Sequence, residues 1–164
     1  MTSFRLRPMA ERDLGAVNAI YNHYVLHSTC TYQLEPEADE ARAAWFAARD
    51  AGHPRLVVED GARVVGWGSL APYHTRGGYA RTVENGLYVD LAHHRRGIGS
   101  MLLDALIAGA RTADHHVILA RIDADQAGSI ALHTRFGFEH VGRLREIGRK
   151  FGRWLDVVEM QLML

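Results

Sequence analysis

Apolar residues alternate with polar ones along some stretches of the chain and recur every three to four residues along others. These two periods predict strands and helices respectively. Residues 3–7 alternate, with Phe4 and Leu6 against Ser3, Arg5 and Arg7, and read as a strand that Pro8 ends. Residues 10–26 carry Leu14, Val17, Ile20, Tyr21, Tyr24 and Val25 at helical spacing. Residues 28–36 are β-branched, polar and closed by Pro36, which predicts a loop or a short irregular strand. An Ala-rich helix with Trp45 and Phe46 as core anchors is predicted over 37–51. Strands over 56–60 and 63–71 flank Asp60-Gly61, a hairpin turn pair. A polar loop over 72–78 leads into a strand over 79–90. A helix follows over 97–112, a short strand over 117–123 and a short helix over 129–136 with Gly137 at its C-cap. Strands over 138–141 and 155–164 enclose the basic segment 143–153. The order β-α-α-β-β-β-α-β-α-β-β predicts an α/β (α+β) fold, a mixed, mostly antiparallel twisted sheet flanked by helices.

Composition narrows the class. A chain of 164 residues, 48% apolar and 23% charged, suits one soluble domain over 1–164. Zero formal net charge gives no global field for nucleic acid or an anionic membrane, so neither is expected as a partner. The single cysteine, Cys30, excludes an internal disulfide and a cysteine-based zinc site. With no signal-peptide pattern and no apolar run of membrane length, a cytoplasmic location is expected.

The chemistry concentrates in residues 82–106. An alternating, β-branched run leads to Arg95-Arg96-Gly97-Ile98-Gly99-Ser100 and then to a helix-periodic stretch. A basic, glycine-bearing turn that opens a helix suits an anion, because the first-turn amides are free and the helix dipole is positive there. A dinucleotide fingerprint would need a third glycine where Leu102 stands, and a Walker loop would need Gly-Lys-Ser/Thr. Both readings are therefore weak, and a pyrophosphate over 95–100 is the expectation.

With these residues in view, the chain resembles the GNAT superfamily of N-acetyltransferases. Leu87-Tyr88-Val89 followed by Arg95-Arg96-Gly97-Ile98-Gly99 is similar to that family's acetyl-CoA pyrophosphate loop, and Ser129-Ile130-Ala131-Leu132-His133 before Arg135-Phe136-Gly137-Phe138 to its second cofactor motif. Tyr21-Asn22-His23-Tyr24, Ser28-Thr29, Glu35-Pro36, Thr82-Val83-Glu84 and the stretch 152–157 are similar to the phosphinothricin and methionine sulfoximine acetyltransferases. Two positions depart from the pattern. His94 stands where the loop usually starts with Gln or Arg, and Gln126 stands three residues before Ser129 where Asn is usual.

The resemblance implies acetyl-CoA as co-substrate, a small amine as acceptor, no metal, and a homodimer. Glu84 falls at the position of the general base; the residues alone equally allow a surface glutamate paired with an arginine such as Arg81. If the carboxylate is buried among its apolar strand neighbours, its pKa rises toward the useful range. Leu87, Tyr88 and Val89 are implied to hold the pantetheine arm through backbone, Gly86 to permit a bulge, and one freed N–H to polarise the thioester carbonyl. Gln126 and Ser129 complete the cofactor set. His133 is implied to protonate or hydrogen-bond the CoA sulfur. Arg76 and Tyr79 fall at substrate-binding positions, while Thr31 and Tyr32 are placed to close over the substrate. His74 stands where phosphinothricin-specific members tend to have lysine. The adjacent pairs His93-His94 and His115-His116 lack the spacing of a helical zinc site. Acetylation of a protein N-terminus, polyamine or aminoglycoside is the alternative activity. A non-catalytic acyl-CoA sensor is the alternative from another class, against which the retention of Glu84 and His133 argues.

Overall fold

The computed structural model describes residues 4–164, so Ser3 of the first expected strand lies outside the described residues. Seven strands and four helices alternate in the expected order. They are β1 (Arg5–Pro8), α1 (Leu14–His27), α2 (Asp39–Ala47), β2 (Arg55–Asp60), β3 (Arg63–Pro72), β4 (Thr82–Val89), α3 (Ile98–Thr112), β5 (Val117–Asp123), α4 (Ala127–Arg135), β6 (Glu139–Lys150) and β7 (Arg153–Met163). They form one sheet in the order β1-β2-β3-β4-β5-β7-β6. Every neighbouring pair is antiparallel except β4 with β5. The mixed α/β fold expected from the pattern is therefore the fold observed.

Both faces of the central strands are covered, which is why β3 reads as an almost continuous apolar run. Val57 and Trp67 pack with Val17, Ile20, Tyr24 and Phe46 of α1 and α2. Val58 and Val65 pack on the opposite face with Ile98 and Leu102 of α3. Gly66 and Gly68 let α3 approach the sheet closely. A Cβ there would meet Ile98 Cγ2 at 2.8 Å and Leu106 Cδ1 at 3.1 Å. This contact sets the N-terminus of α3 beside the end of β4.

Three expectations need correction. Helix α2 begins at Asp39, not at residue 37, because the backbone of Glu37 is bound to α1. Its N–H donates to Asn22 Oδ1 at 2.7 Å and its C=O accepts from Asn18 and Asn22. The basic segment 143–153 is no loop. β6 runs on to Lys150 and turns into β7 at Phe151-Gly152, both at positive φ. Charge did not prevent strand formation there because β6 is the sheet's edge, where charged side chains reach water. Gly86 carries no bulge, since the β3–β4 register is unbroken from Gly66↔Val89 to Pro72↔Val83. Among the described residues no helix is long and apolar enough to cross a membrane.

Candidate active site

The sheet parts between β4 and β5. Only Thr82, Val83 and Glu84 pair with β5, at Val117, Ile118 and Leu119. Beyond Glu84, β4 stays with β3 as far as Val89, and β5 stays with β7 as far as Asp123. Asp90 N–H donates to Val65 O and Tyr73 N–H to Thr82 O, so the even-numbered residues of β4 turn their backbone groups toward β3. The odd-numbered ones face the gap. Leu87 therefore presents both its N–H and its C=O to the opening. The Val89 carbonyl also faces it, but it accepts from the Tyr24 hydroxyl and lies 3.1 Å from His94 Nε2. Tyr88 is different from the expectation, because its backbone pairs with Trp67 and only its side chain faces the site. The gap opens into a cavity of about 350 Å³ lined from both sheet faces.

Glu84 stands where the strands part. Its carboxylate accepts two hydrogen bonds from Arg121, at 3.0 and 2.5 Å, with the Glu84 side chain 25% exposed. This ion pair replaces the expected burial among apolar neighbours. It also replaces Arg81, which pairs with Asp114 at 2.6 Å instead. The Glu84 hydrogen bonds raise the pKa of Arg121. Arg121 was not singled out from sequence. Its signal is a charged residue interrupting the apolar strand Val117-Ile118-Leu119-Ala120 two residues beyond the partner of Glu84.

On the other sheet face, His133 is 3% exposed. Its Nδ1 lies 2.8 Å from the Ser129 carbonyl, which can only accept, so Nδ1 carries the proton. The lone pair on Nε2 then accepts from Asn85 Nδ2 at 2.9 Å. Burial lowers the His133 pKa below the ordinary imidazole value. In this arrangement His133 is a neutral acceptor that orients Asn85, and it holds no spare proton for a leaving thiolate. The lowered pKa has a stability consequence. The neutral ring's contribution is fully present above the ordinary value of 6.5 and is lost as pH falls below it toward the folded-state pKa. Urea denaturation of the wild type and His133→Gln should therefore diverge below that pH, the wild type losing at most about 1.4 kcal/mol per pH unit relative to the variant. Parallel pH dependences would refute the buried neutral assignment.

The loop after β4 has the geometry of an anion cradle. Arg95 and Gly97 adopt positive φ, 58° and 86°, and Gly97 caps α3 without a side-chain hydrogen bond. The first-turn amides of Ile98, Gly99 and Ser100 have no partner within the helix. Arg135 of α4 reaches across and donates to Ser100 Oγ, which adds a guanidinium that sequence did not assign to this turn. The Arg96 guanidinium instead lies 4.7 Å from the Phe4 ring centroid and 3.7 Å from Asp60. His94 points away from the cradle. It stacks on Tyr24 and lies 2.6 Å from the Tyr24 hydroxyl, so it pins the end of β4. Gln126 and Ser129 line the cavity, and Gln126 Nε2 donates to Thr29 Oγ1 at 3.2 Å.

The expected substrate residues divide. Thr31 Oγ1 lies 3.0 Å from the hydroxyl of Tyr21, a cavity-lining residue. Tyr32 is committed to the framework, donating to Asp123 at 2.6 Å and to the Asp156 carbonyl at 3.1 Å. Lys150 holds the same loop through the carbonyls of Ser28 and Thr31. Arg76 and Tyr79 sit on an exposed turn and do not line the cavity. The cavity that Glu84 lines is bordered instead by Tyr21, Arg42, Trp45, Trp67 and Tyr88. Arg42 was legible in principle. It lies three and four residues before Trp45 and Phe46, hence on the same helix face as the predicted core anchors. Cys30 also lines the cavity, and burial pushes its thiol pKa up, away from reactivity.

A sheet that parts at one parallel strand pair, with an open strand edge and a free helix N-terminus at its mouth, can take an extended chain along the edge and an anion at the helix end. The comparisons agree. A profile of the acetyltransferase (GNAT) family matches residues 17–138. The chain is 40% identical to an L-methionine sulfoximine/L-methionine sulfone acetyltransferase of Salmonella typhimurium, over 93% of this chain and 90% of that protein. It is 39% identical to a phosphinothricin N-acetyltransferase of Streptomyces coelicolor, over 93% and 92% respectively. It superposes on a solved acetyltransferase of Salmonella typhimurium, described with its cofactor acetyl-CoA, with a TM-score of 0.95 at 38% identity, covering 98% of this chain and 94% of that one. The chain therefore belongs to the GNAT acetyltransferase family. It is an N-acetyltransferase whose acyl donor is acetyl-CoA.

Proposed function

We propose that this protein transfers acetyl from acetyl-CoA to the amino group of a small amino-acid-like acceptor of the methionine sulfone, methionine sulfoximine or phosphinothricin type. The observation that carries the reading is the position of Glu84 at the point where β4 and β5 part. The first-turn amides of α3 and the turn Arg95–Arg96–Gly97 hold the pyrophosphate, while Gln126 and Ser129 border the pantetheine arm. A thioester supplies an electrophilic carbonyl with a good leaving group. The Leu87 N–H faces the gap and stabilises the oxyanion that develops there.

Glu84 accepts the proton the amine sheds on attack, directly or through a water, and Arg121 holds the carboxylate in place. His133 positions Asn85 beside the reacting centre. Arg76 and Tyr79 act at the rim. The Tyr79 ring packs on Tyr73 at 5.5 Å. Thr31 contributes through Tyr21. A homodimer is supported by apolar residues left exposed on the β6–β7 hairpin, Val141, Ile147, Phe151 and Trp154 among them.

The test is direct. The protein is mixed with acetyl-CoA and a panel of amino acids, their sulfone, sulfoximine and phosphinate analogues, polyamines and peptides, and free thiol is followed. Turnover concentrated on the amino-acid analogues is expected. Turnover only on polyamines or peptides, or none with acetyl-CoA bound, would overturn it.

A further inference from the structure

The cavity that Glu84 lines also holds a buried cation, Arg42. Arg42 is 3% exposed. Its Nε lies 3.1 Å from Glu37 Oε1 and donates weakly to Asn18 Oδ1 at 3.4 Å. Its two terminal nitrogens donate to no described residue. The guanidinium carbon sits 4.8 Å from the ring centroids of Tyr21 and Trp45 and 5.1 Å from that of Trp67, and all three rings line the cavity. The indole Nε1 of Trp67 is a buried donor without a partner among the described residues. An orphaned buried donor is costly in a folded protein, by about 1–3 kcal/mol, and the Trp67 indole N–H beside the Arg42 guanidinium marks a place that an acceptor fills.

The sheet floor says which part of an acceptor substrate reaches this place. The side chains paired across β3 and β4 on this face are Ala71 with Glu84, Ser69 with Gly86 and Trp67 with Tyr88. A strip of small residues thus separates the Glu84 carboxylate from the aromatic wall. Four strand residues span roughly 13 Å between the two backbone positions. An α-carboxylate stays within two bonds of the reacting nitrogen and remains at the Glu84 end. The group that reaches Arg42 is the distal end of the acceptor.

We propose that Arg42, with the Trp67 indole N–H, forms the specificity subsite for an oxygen-rich, hydrogen-bond-accepting group at the distal end of the acceptor amine, a sulfonyl, sulfoximine or phosphinyl centre. The planar guanidinium offers a forked pair of donors to two such oxygens, and the aromatic rings exclude water around them. Glu37 offsets the guanidinium charge through Nε, so a neutral sulfonyl group is accepted as well as an anionic phosphinate. The inference rests on the amino-acid acetyltransferase reading above.

Three probes separate the parts of the acceptor. Methionine sulfone carries both the α-carboxylate and the distal oxygens, methionine lacks the oxygens, and 3-(methylsulfonyl)propylamine lacks the carboxylate. In Arg42→Met the preference for methionine sulfone over methionine, as a ratio of kcat/KM, should fall at least about tenfold. The sulfonylpropylamine should lose in step with the sulfone, and the KM for acetyl-CoA should hold. Arg42→Lys, which keeps the charge and loses the fork, should retain part of the preference. Trp67→Phe should lose a smaller part. An unchanged ratio in both Arg42 variants, or equal losses on sulfone and methionine, would overturn the subsite. Binding of methionine sulfone, read from the fluorescence of Trp45 and Trp67, keeps the two readings apart. Wild-type binding that Arg42→Met abolishes, without turnover of any amine, would sustain the subsite while the acetyltransferase reading fails. Turnover with indifferent Arg42 variants would do the reverse.

Discussion

Replacing Glu84 with alanine should lower kcat by about 10²–10⁴-fold, the usual worth of general-base assistance, and leave the affinity for acetyl-CoA nearly unchanged. The asymmetry follows from position. Glu84 stands on the sheet face of Ala71, Ser69 and Trp67, whereas the turn proposed to hold the pyrophosphate lies beyond the far end of β4. An attacking amine must lose a proton, and Glu84 is the carboxylate at the apex of the gap. Its two hydrogen bonds from Arg121 fix the oxygens, so Arg121→Met should also reduce turnover, by less, through loss of that orientation. Steady-state kinetics between about pH 6 and 9 decide the matter, since a base loss is greatest where the amine is mostly protonated. Turnover of Glu84→Ala equal to wild type throughout that range would remove Glu84 from the mechanism.

The second large effect is expected at the cradle. Ser100→Asp should weaken acetyl-CoA binding by about 10–100-fold, corresponding to roughly 1.4–3 kcal/mol. The same substitution should leave folding stability unchanged or slightly raised. A carboxylate in the first turn of α3 is favourable to the helix dipole, and it sits beside Arg135, which already reaches Ser100 Oγ. It occupies the charge that the free amides and Arg135 otherwise offer to a phosphate. Opposite signs in calorimetric binding and in thermal unfolding distinguish this from general damage. Unaltered acetyl-CoA affinity would mean that the pyrophosphate binds elsewhere.

Much of this was readable along the chain because local rules wrote it there. Period-2 and period-3.6 patterns gave the element order, and Gly97 and Gly99 between a strand and an apolar helix marked the anion turn. Tertiary packing decided the partners. The Glu84 carboxylate meets Arg121, 37 residues away, only because β4 and β5 run parallel for three residues and then part. His133 became a neutral acceptor through the Ser129 carbonyl and Asn85, and a helix-face histidine in a sequence carries no sign of its own burial. Tyr32 looked free to close over a substrate and is tied to Asp123 and Asp156, 91 and 124 residues along the chain.

Arg42 makes the same point most plainly. Its spacing to Trp45 and Phe46 placed it on a buried helix face, but only the packing of α2 over Trp67 and Tyr21 set its guanidinium against the rings that line the cavity. The sequence by itself determined the succession of strands and helices, the glycine-bearing turn that opens α3 and the presence of a carboxylate on the adjoining strand, because backbone periodicity and turn chemistry act between near neighbours. The tertiary structure alone decided which charges are paired, which imidazole is neutral and which buried donors remain open, because those depend on contacts between residues that are distant along the chain and adjacent only after folding.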